Sequence, residues 1–257
     1  MKQKSIGFIG GGRITRIFLQ GLSNKNALSA NVKVFDPNTE TVNSLCTDFP
    51  KIEKAETVAG VAAQQLVFIA VHPPVMMETL QAIKETVNTT TVVISLAPKI
   101  TLEKMAAVLP TQKLVRMIPN ATSYINEGYN PVTFAPGYDP EEKKQLLKLL
   151  KKLGKTFETE EAKLESYAIS SAMLPTYFWF QWQQMEAIAR ETGLSEEEAR
   201  KAVSASLKKA WKLYYQSGLQ AEEVIDLIPV KPIGENEPEI KNILNSKLLG
   251  LFEKIKP

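Results

Sequence analysis

Ser5-Ile6-Gly7-Phe8-Ile9-Gly10-Gly11-Gly12-Arg13-Ile14-Thr15-Arg16 reads as a short apolar strand, a glycine turn and the first turn of an amphipathic helix. This is the opening of a dinucleotide-binding βαβ unit. A backbone approaching a pyrophosphate needs a tight turn at Gly10 and clearance at Gly12, with Gly11 between them. The phosphate charge then rests on the amides of Arg13 and Ile14 and on the positive end of the helix. Thr15 stands where the third small residue of the pattern would let helix and strand pack closely, so the turn is G-x-G-x-x-T. Arg13 either contacts the pyrophosphate or points to solvent.

Order along the chain strengthens the reading. About twenty residues on, Val32-Lys33-Val34-Phe35 is a second strand that ends in Asp36, where an acid receives the adenosine ribose hydroxyls. The alternative is a glycine-rich turn with Asp36 as a helix cap. A carboxylate at this point repels a 2′-phosphate, and Pro37-Asn38-Thr39-Glu40 supplies no Arg or Lys to hold one. NAD(H) is therefore expected ahead of NADP(H), with NADP(H) still open.

The chain has 257 residues, 44% hydrophobic and 23% charged, with a formal charge of +3, as expected of one or two ordinary globular domains. The basic excess is small, and Lys143, Lys144, Lys148, Lys151 and Lys152 fall on one solvated helix, so no nucleic-acid or membrane partner is expected. Cys46 has no second cysteine to pair with, and one cysteine with one histidine gives no metal-ligand cluster. No charged-then-apolar leader and no long uncharged run is present, so the cytoplasm is the expected location.

Apolar runs at 66–71, 91–96 and 113–118 are spaced by helical segments, the pattern of a parallel sheet covered on both faces. A further strand at 131–135 precedes a helix with Asp139 as N-cap, Pro140 at its first position, Glu142 completing a capping box and Gly154 after its end. From about Glu158 the pattern turns wholly helical. The expected fold class is thus α/β, a Rossmann-type parallel-sheet domain over 1–158, followed by an all-α domain over 159–257.

In that second part, 161–192 reads as one long helix bent at Pro175, ended by Gly193. Ser195 and Glu198 cap the next helix, which runs through Trp211 and Tyr215 to Gly218. Phe178, Trp182, Met185 and Ala189 form one apolar stripe, and Tyr177, Trp179 and Phe180 add more aromatic surface than a small bundle needs. A homodimer or larger homo-oligomer built on these helices is expected; the plainer alternative is a monomeric core.

Val115-Arg116-Met117-Ile118-Pro119-Asn120-Ala121-Thr122, followed by Glu127-Gly128, resembles the V-R-x-M-P-N-T-P…E-G signature of pyrroline-5-carboxylate reductases. Ala70-Val71-His72-Pro73 resembles their A-V-K-P, Ser95-Leu96-Ala97 their S-I-A-A, Gly10 to Ile14 their G-x-G-N-M turn, and Pro175-Thr176-Tyr177 the end of their S-G-S-G-P-A-Y motif. The resemblance spans nearly the whole chain. It implies an N-terminal Rossmann domain, a helical dimerisation domain, and reduction of a cyclic imine by a nicotinamide cofactor. It also implies cofactor contacts at Ala70, Val71, His72 and Ala97, with Asn120 near the nicotinamide and Tyr177 lining a substrate pocket. Asn120 after Pro119 can equally be a turn residue, and Tyr177 a core aromatic.

The departures gather at the substrate end. Ser171-Ala172-Met173-Leu174 has lost the small S-G-S-G residues, and Met173 and Leu174 would fill the space those leave. Where the family has T-S-P-G-G-T-T, this chain reads Ile228-Pro229-Val230-Lys231-Pro232-Ile233-Gly234-Glu235, whose prolines remove amide donors and which holds no hydroxyl. Lys231 is either a replacement charge for a substrate carboxylate or a solvated loop lysine. His72 replaces the family lysine and Lys99 a glycine, both at C-terminal strand ends. With an unperturbed pKa of about 6.5, His72 either serves the nicotinamide or a substrate nitrogen, or caps the turn before Pro73. Imine reduction asks chiefly for alignment, so few acid or base residues are required. Three functions follow: pyrroline-5-carboxylate reduction in an altered pocket; a related NAD(P)-dependent reductase of another small imine or carbonyl compound; or a non-catalytic dimeric nucleotide-binding protein.

Overall fold

The computed structural model describes residues 4–29 and 31–257, and every structural statement below concerns these residues. They divide into two units, the described residues up to 172 together with 251–257, and 173–250.

The first unit is built on one eight-stranded sheet. Its strands are β1 (Ile6–Ile9), β2 (Val32–Phe35), β3 (Ile52–Lys54), β4 (Leu66–Ile69), β5 (Val92–Ser95), β6 (Leu114–Met117), β7 (Gly128–Phe134) and β8 (Gly154–Glu158), in the order β3-β2-β1-β4-β5-β6-β7-β8. β1 to β6 run parallel, with Phe8 paired to Val34 on one side and Phe68 on the other. β7 is antiparallel to β6 and parallel to β8, so the sheet is mixed at this edge. The helices are α1 (Arg13–Asn24), α2 (Thr39–Asp48), α3 (Val58–Ala62), α4 (Met76–Ile83), α5 (Leu102–Ala106), α6 (Pro140–Leu150) and α7 (Leu164–Tyr167).

Alternation along each strand sorts side chains onto two faces. Phe8, Phe68 and Ile94 join Phe18 of α1 in one core, while Val67, Ile69 and Val93 join Met76 and Leu80 of α4 in the other. Because both faces are covered, the strands are apolar without a break, as the sequence pattern requires. Phe8 stacks on Phe68 at 4.8 Å between centroids and Phe18 meets Phe68 edge-on at 5.6 Å. Each ring, fully buried, contributes about 2–3 kcal/mol by area alone.

Several local expectations are corrected. Asp139 caps α6 by accepting from the Glu142 amide at 2.8 Å, but Glu142 does not return to close a box; it accepts from Lys113 Nζ at 2.6 Å instead. Gly154 does more than end a helix. It has φ +130° and begins β8, where a Cβ would lie 2.2 Å from the backbone nitrogen of Gly128, so only glycine lets β7 and β8 close this tightly.

The first compact unit continues past Glu158 to Ala172, and Arg116 ties this added segment to the sheet. This side chain is 1% exposed in the middle of β6. Its guanidinium donates to Glu161 Oε1 at 2.9 Å and to Glu165 Oε1, also buried, which ties the segment after β8 to the sheet. An unpaired buried charge is costly, so the pairs hold 161–165 in place. That segment is not the front of one bent helix. A 3₁₀ turn at 161–163, α7, a π turn at 168–172 and a 3₁₀ turn at 174–177 lead to α8 (Trp179–Glu191), with Pro175 inside the last turn.

The second unit is helical. Gly193, at φ +107°, follows α8, and Ser195 and Glu198 form the expected reciprocal capping box at the start of α9 (Glu196–Gln216). α10 (Ala221–Asp226) and α11 (Glu237–Ile255) complete it; from Leu251 the last turns of α11 belong to the first unit. No helix among the described residues is long and apolar enough to cross a membrane.

Candidate functional site

At the C-terminal ends of β1, β2 and β4 the first unit opens into a cleft of about 620 Å³. Gly10 and Gly12 form one wall, Asp36, Pro37 and Asn38 another, and Ala70, Val71 and His72 a third. Strand ends of an open parallel sheet, where the order reverses about β1, are the place such folds bind ligands.

The glycine turn has two different constraints. Gly10 adopts φ +99°, and a Cβ there would lie 2.5 Å from the Ala70 carbonyl oxygen, so this position is dictated by the protein's own backbone. Gly12 has nothing within 4 Å of where its Cβ would be. It is the N-cap of α1, without a capping side chain and with no acid in the first turn, so the leading amides of that helix take no side-chain cap beside the cleft that Gly12 lines. An uncapped N-terminus of a twelve-residue helix behind a clear glycine is a cradle for an anion, and it fits a pyrophosphate. Thr15 takes the place of the third small residue without loss of packing: it is fully buried and its hydroxyl donates to the Gly10 carbonyl at 2.5 Å, clipping the turn to the helix.

Asp36 Oδ2 accepts from the Gly11 amide at 2.7 Å and Oδ1 from the Asn38 amide at 2.8 Å. Asn38 is the true cap of α2, accepting from Glu40 and Thr41. Each carboxylate oxygen of Asp36 keeps acceptor capacity beyond its one bond, so the held carboxylate remains able to take hydroxyl donors from the cleft. Glu78 adds a second acid to the lining, and no Lys or Arg contributes to it among the described residues.

Other expected cofactor residues are disposed differently. Gly11 is behind the turn, its amide given to Asp36. Arg13 is exposed and does not line the cleft; Ile14 packs against the core. Ala97 is buried beneath the loop after β5, its amide donating to Ser95 Oγ at 3.3 Å. His72 is exposed at the cleft rim; its backbone carbonyl accepts from Val75, and its side chain caps nothing.

Asn120 is buried and fully engaged. Its Oδ1 accepts from Thr122 N at 3.0 Å and Thr122 Oγ1 at 2.7 Å, and its Nδ2 donates to the carbonyl and hydroxyl of Ser171, both at 3.3 Å. It ties together the loop after β6 and the π turn, and it is not part of the cleft lining. In the second unit, Tyr177 is half-buried and burial raises its phenol pKa; Met173 is half-buried and its carbonyl accepts from Thr176, and Lys231 is exposed, its carbonyl accepting from the Gly234 amide at 2.9 Å.

Sequence reading passed over Val58, Glu78 and Thr79, cleft residues on α3 and α4. No motif marks them, since they arrive by helix packing. It also quoted Arg116 without giving it a role. A charge inside Val115-Arg116-Met117 was the available signal, because a continuous buried strand tolerates one only when paired.

The family model described as “NADP oxidoreductase coenzyme F420-dependent” matches residues 5–99, the stretch that builds this cleft. Among curated proteins, a pyrroline-5-carboxylate reductase of Pasteurella multocida is 27% identical over 84% of this chain and 81% of its own length. That of Escherichia coli is 26% identical over 88% and 85%. Among solved structures, the Plasmodium falciparum pyrroline carboxylate reductase with NADP bound superposes with a TM-score of 0.82 at 18% identity, covering 100% of this chain and 98% of that one. A reductive aminase from Aspergillus terreus in complex with NADPH gives 0.62 at 14%, over 98% and 93%. The structural likenesses are ones of fold. The chain resembles pyrroline-5-carboxylate reductases along most of its length, and its recognised domain is that of an NAD(P)-dependent oxidoreductase.

Proposed function

We propose that this chain is a cytoplasmic NAD(H)-dependent reductase that delivers hydride to a small cyclic imine or a related C=N or C=O compound. The observation that carries this reading is the open space at Gly12 before the uncapped amides of α1, facing Asp36 across the cleft. A nicotinamide cofactor would supply the hydride that adds to the imine carbon, while the nitrogen, bound protonated, keeps its proton as the amine forms.

The residues of the chain bind and orient. The α1 amides hold the pyrophosphate charge, and Asp36 takes ribose hydroxyls while Gly11 and Asn38 fix its carboxylate. With Asp36 and Glu78 in the lining and no cation there, a 2′-phosphate meets only negative charge, which supports NAD(H) over NADP(H). His72 follows β4 by three residues at the cleft rim, and the resemblance assigns it to the nicotinamide side of the cofactor. Asn120 acts at one remove, as a positioning residue that fixes Thr122 and Ser171. Tyr177, Met173 and Lys231 remain substrate-side candidates on the resemblance. The chain works as a homodimer through the second unit, where Phe180, Trp211 and Tyr215 keep 65%, 56% and 68% of their surface exposed.

Titration with NADH and NADPH, followed by absorbance loss on adding pyrroline-5-carboxylate, tests the reading. Tighter NADH binding with turnover supports it in full. NADH binding without turnover moves the substrate to another imine or carbonyl compound, and failure to bind either cofactor overturns it.

A further inference from the structure

Covalent order within a dinucleotide fixes which part of it reaches which wall of the cleft. With the pyrophosphate at the α1 amides beside Gly12 and the ribose hydroxyls at Asp36, the purine carried by that ribose comes next, beyond Asp36. The lining there is Asn38 and Thr41 on the α2 side, Val58 at the start of α3, and one face of α4. Val75 at the N-cap of α4, then Glu78, Thr79 and Ala82, follow at three, one and three residues, so they share that face. Val75 is 44% exposed, and with Val58 and Ala82 it offers apolar surface for a planar ring.

The polar groups on the α4 wall can only accept. Thr79 Oγ1 gives its proton to the Val75 carbonyl at 2.9 Å, which leaves it lone pairs alone. An ionised carboxylate accepts and cannot donate, and that of Glu78 makes no hydrogen bond or ion pair among the described residues. The α2 wall is the opposite case. Asn38 commits Oδ1 to the amides of Glu40 and Thr41 and keeps Nδ2 to donate, and the Thr41 hydroxyl can donate as well. A base that suits both walls brings ring acceptors to one and hydrogen donors to the other. An aminopurine does so with its ring nitrogens and its exocyclic amino group. A purine with a carbonyl at C6 sets an oxygen against the Glu78 carboxylate, acceptor against acceptor.

We propose that Glu78, seconded by Thr79, reads the base of the cofactor and selects a purine with an amino group at C6 over one with a carbonyl. The proposal rests on the reductase reading given above. It gives α4 a choice that the glycine turn and Asp36 cannot make, since those meet phosphate and ribose, which every such dinucleotide shares. Glu78 is also an acid in the first turn of α4, where it favours the helix dipole, but that role is indifferent to the base.

Fluorescence titration of the full-length chain with NADH and with reduced nicotinamide hypoxanthine dinucleotide, which differ only at C6 and its neighbouring N1 of the purine, tests it. The readout is the ratio of the two Kd values. Wild type should favour NADH by about tenfold or more, since a site built to take a donor rejects the analogue that lacks it. Glu78→Gln, whose amide donates as well as accepts, should bring the ratio to about two, and Thr79→Val should lower it about threefold. Glu78→Lys, a donor only, should invert it. A loss of stability or a shifted cleft scales both affinities and leaves the ratio alone, and the Tm of Glu78→Gln reports the helix role separately. A wild-type ratio near one, or a ratio unmoved by both Glu78 variants, overturns the assignment and leaves the reductase reading standing. Failure of the wild type to bind either dinucleotide overturns both.

Discussion

In the first unit Phe8, Phe68 and Ile94 lie sealed between two layers of helices, whereas in the second Phe180, Trp211 and Tyr215 face outward and Ala199 is the one residue in the buried core. The two units solve the same problem with different materials. A parallel strand has two faces to cover, and βα repetition supplies both covers from its own sequence. A helix has one broad apolar stripe, and α8, α9 and α11 carry more of it than they hide. The first unit covers its own sheet, and the second leaves much of its apolar surface exposed.

The largest expected effect tests that contrast through charge. Glu165→Ala leaves Arg116 buried without its close partner and should cost about 3–5 kcal/mol in urea unfolding. Lys241→Ala, which breaks an exposed pair with Glu237 in the second unit, should produce no measurable change. Equal effects would break the comparison. Next comes Gly12→Asp, which puts a negative group where the helix amides await one. NADH binding should weaken about a hundredfold with little change in Tm, since no atom of the fold lies within 4 Å of where a Cβ at Gly12 would be. A large loss of Tm would mean that Gly12 serves the fold and not the ligand.

A third test addresses the outward aromatics: Phe180→Ser with Trp211→Ser should shift the sedimentation coefficient from that of a dimer to that of a monomer, leaving NADH affinity within about twofold. Unchanged sedimentation would make those side chains an ordinary surface. A smaller effect is expected of Asp36→Ser, which should improve NADPH over NADH by about tenfold as the repulsion of a 2′-phosphate is removed. The smallest concerns the α9 cap. Hydrogen bonds from the Ser195 hydroxyl and amide hold the Glu198 carboxyl below its usual range, so the cap's stabilising effect is present above the unfolded pKa and fades as pH falls through the folded one. Ser195→Ala should move the NMR titration midpoint of Glu198 up toward that of an ordinary glutamate.

What could be read in advance follows the same division. The βα part was legible because its rules are local: Gly10 needs its turn, Asp36 follows β2 at a fixed distance, and unbroken runs at 66–71 and 91–96 demand two-sided burial. β8 was missed because Gly154 reads as a helix stop, while its purpose is the close approach to Gly128, which no neighbour in sequence reveals. The break-up of 161–192 was missed for a similar reason. Glu161 and Glu165 are ordinary helix formers whose position is set by Arg116, over forty residues earlier. At the cleft, the motif residues of the first wall were found, whereas Glu78 and Thr79 came from α4 by packing and left no trace in the pattern.

The strand order bears on how the chain is made. After the single reversal, which lays β4 beside β1, each strand from β5 to β8 lies beside the one synthesised just before it. The sheet can therefore grow at one edge as the chain leaves the ribosome, with no strand waiting to be inserted between two others. Leu251–Pro257 is the exception, for it joins the first unit only after the helices of the second have been produced. A nascent chain that already possesses its glycine cradle therefore still lacks this returning segment until the second unit has been made.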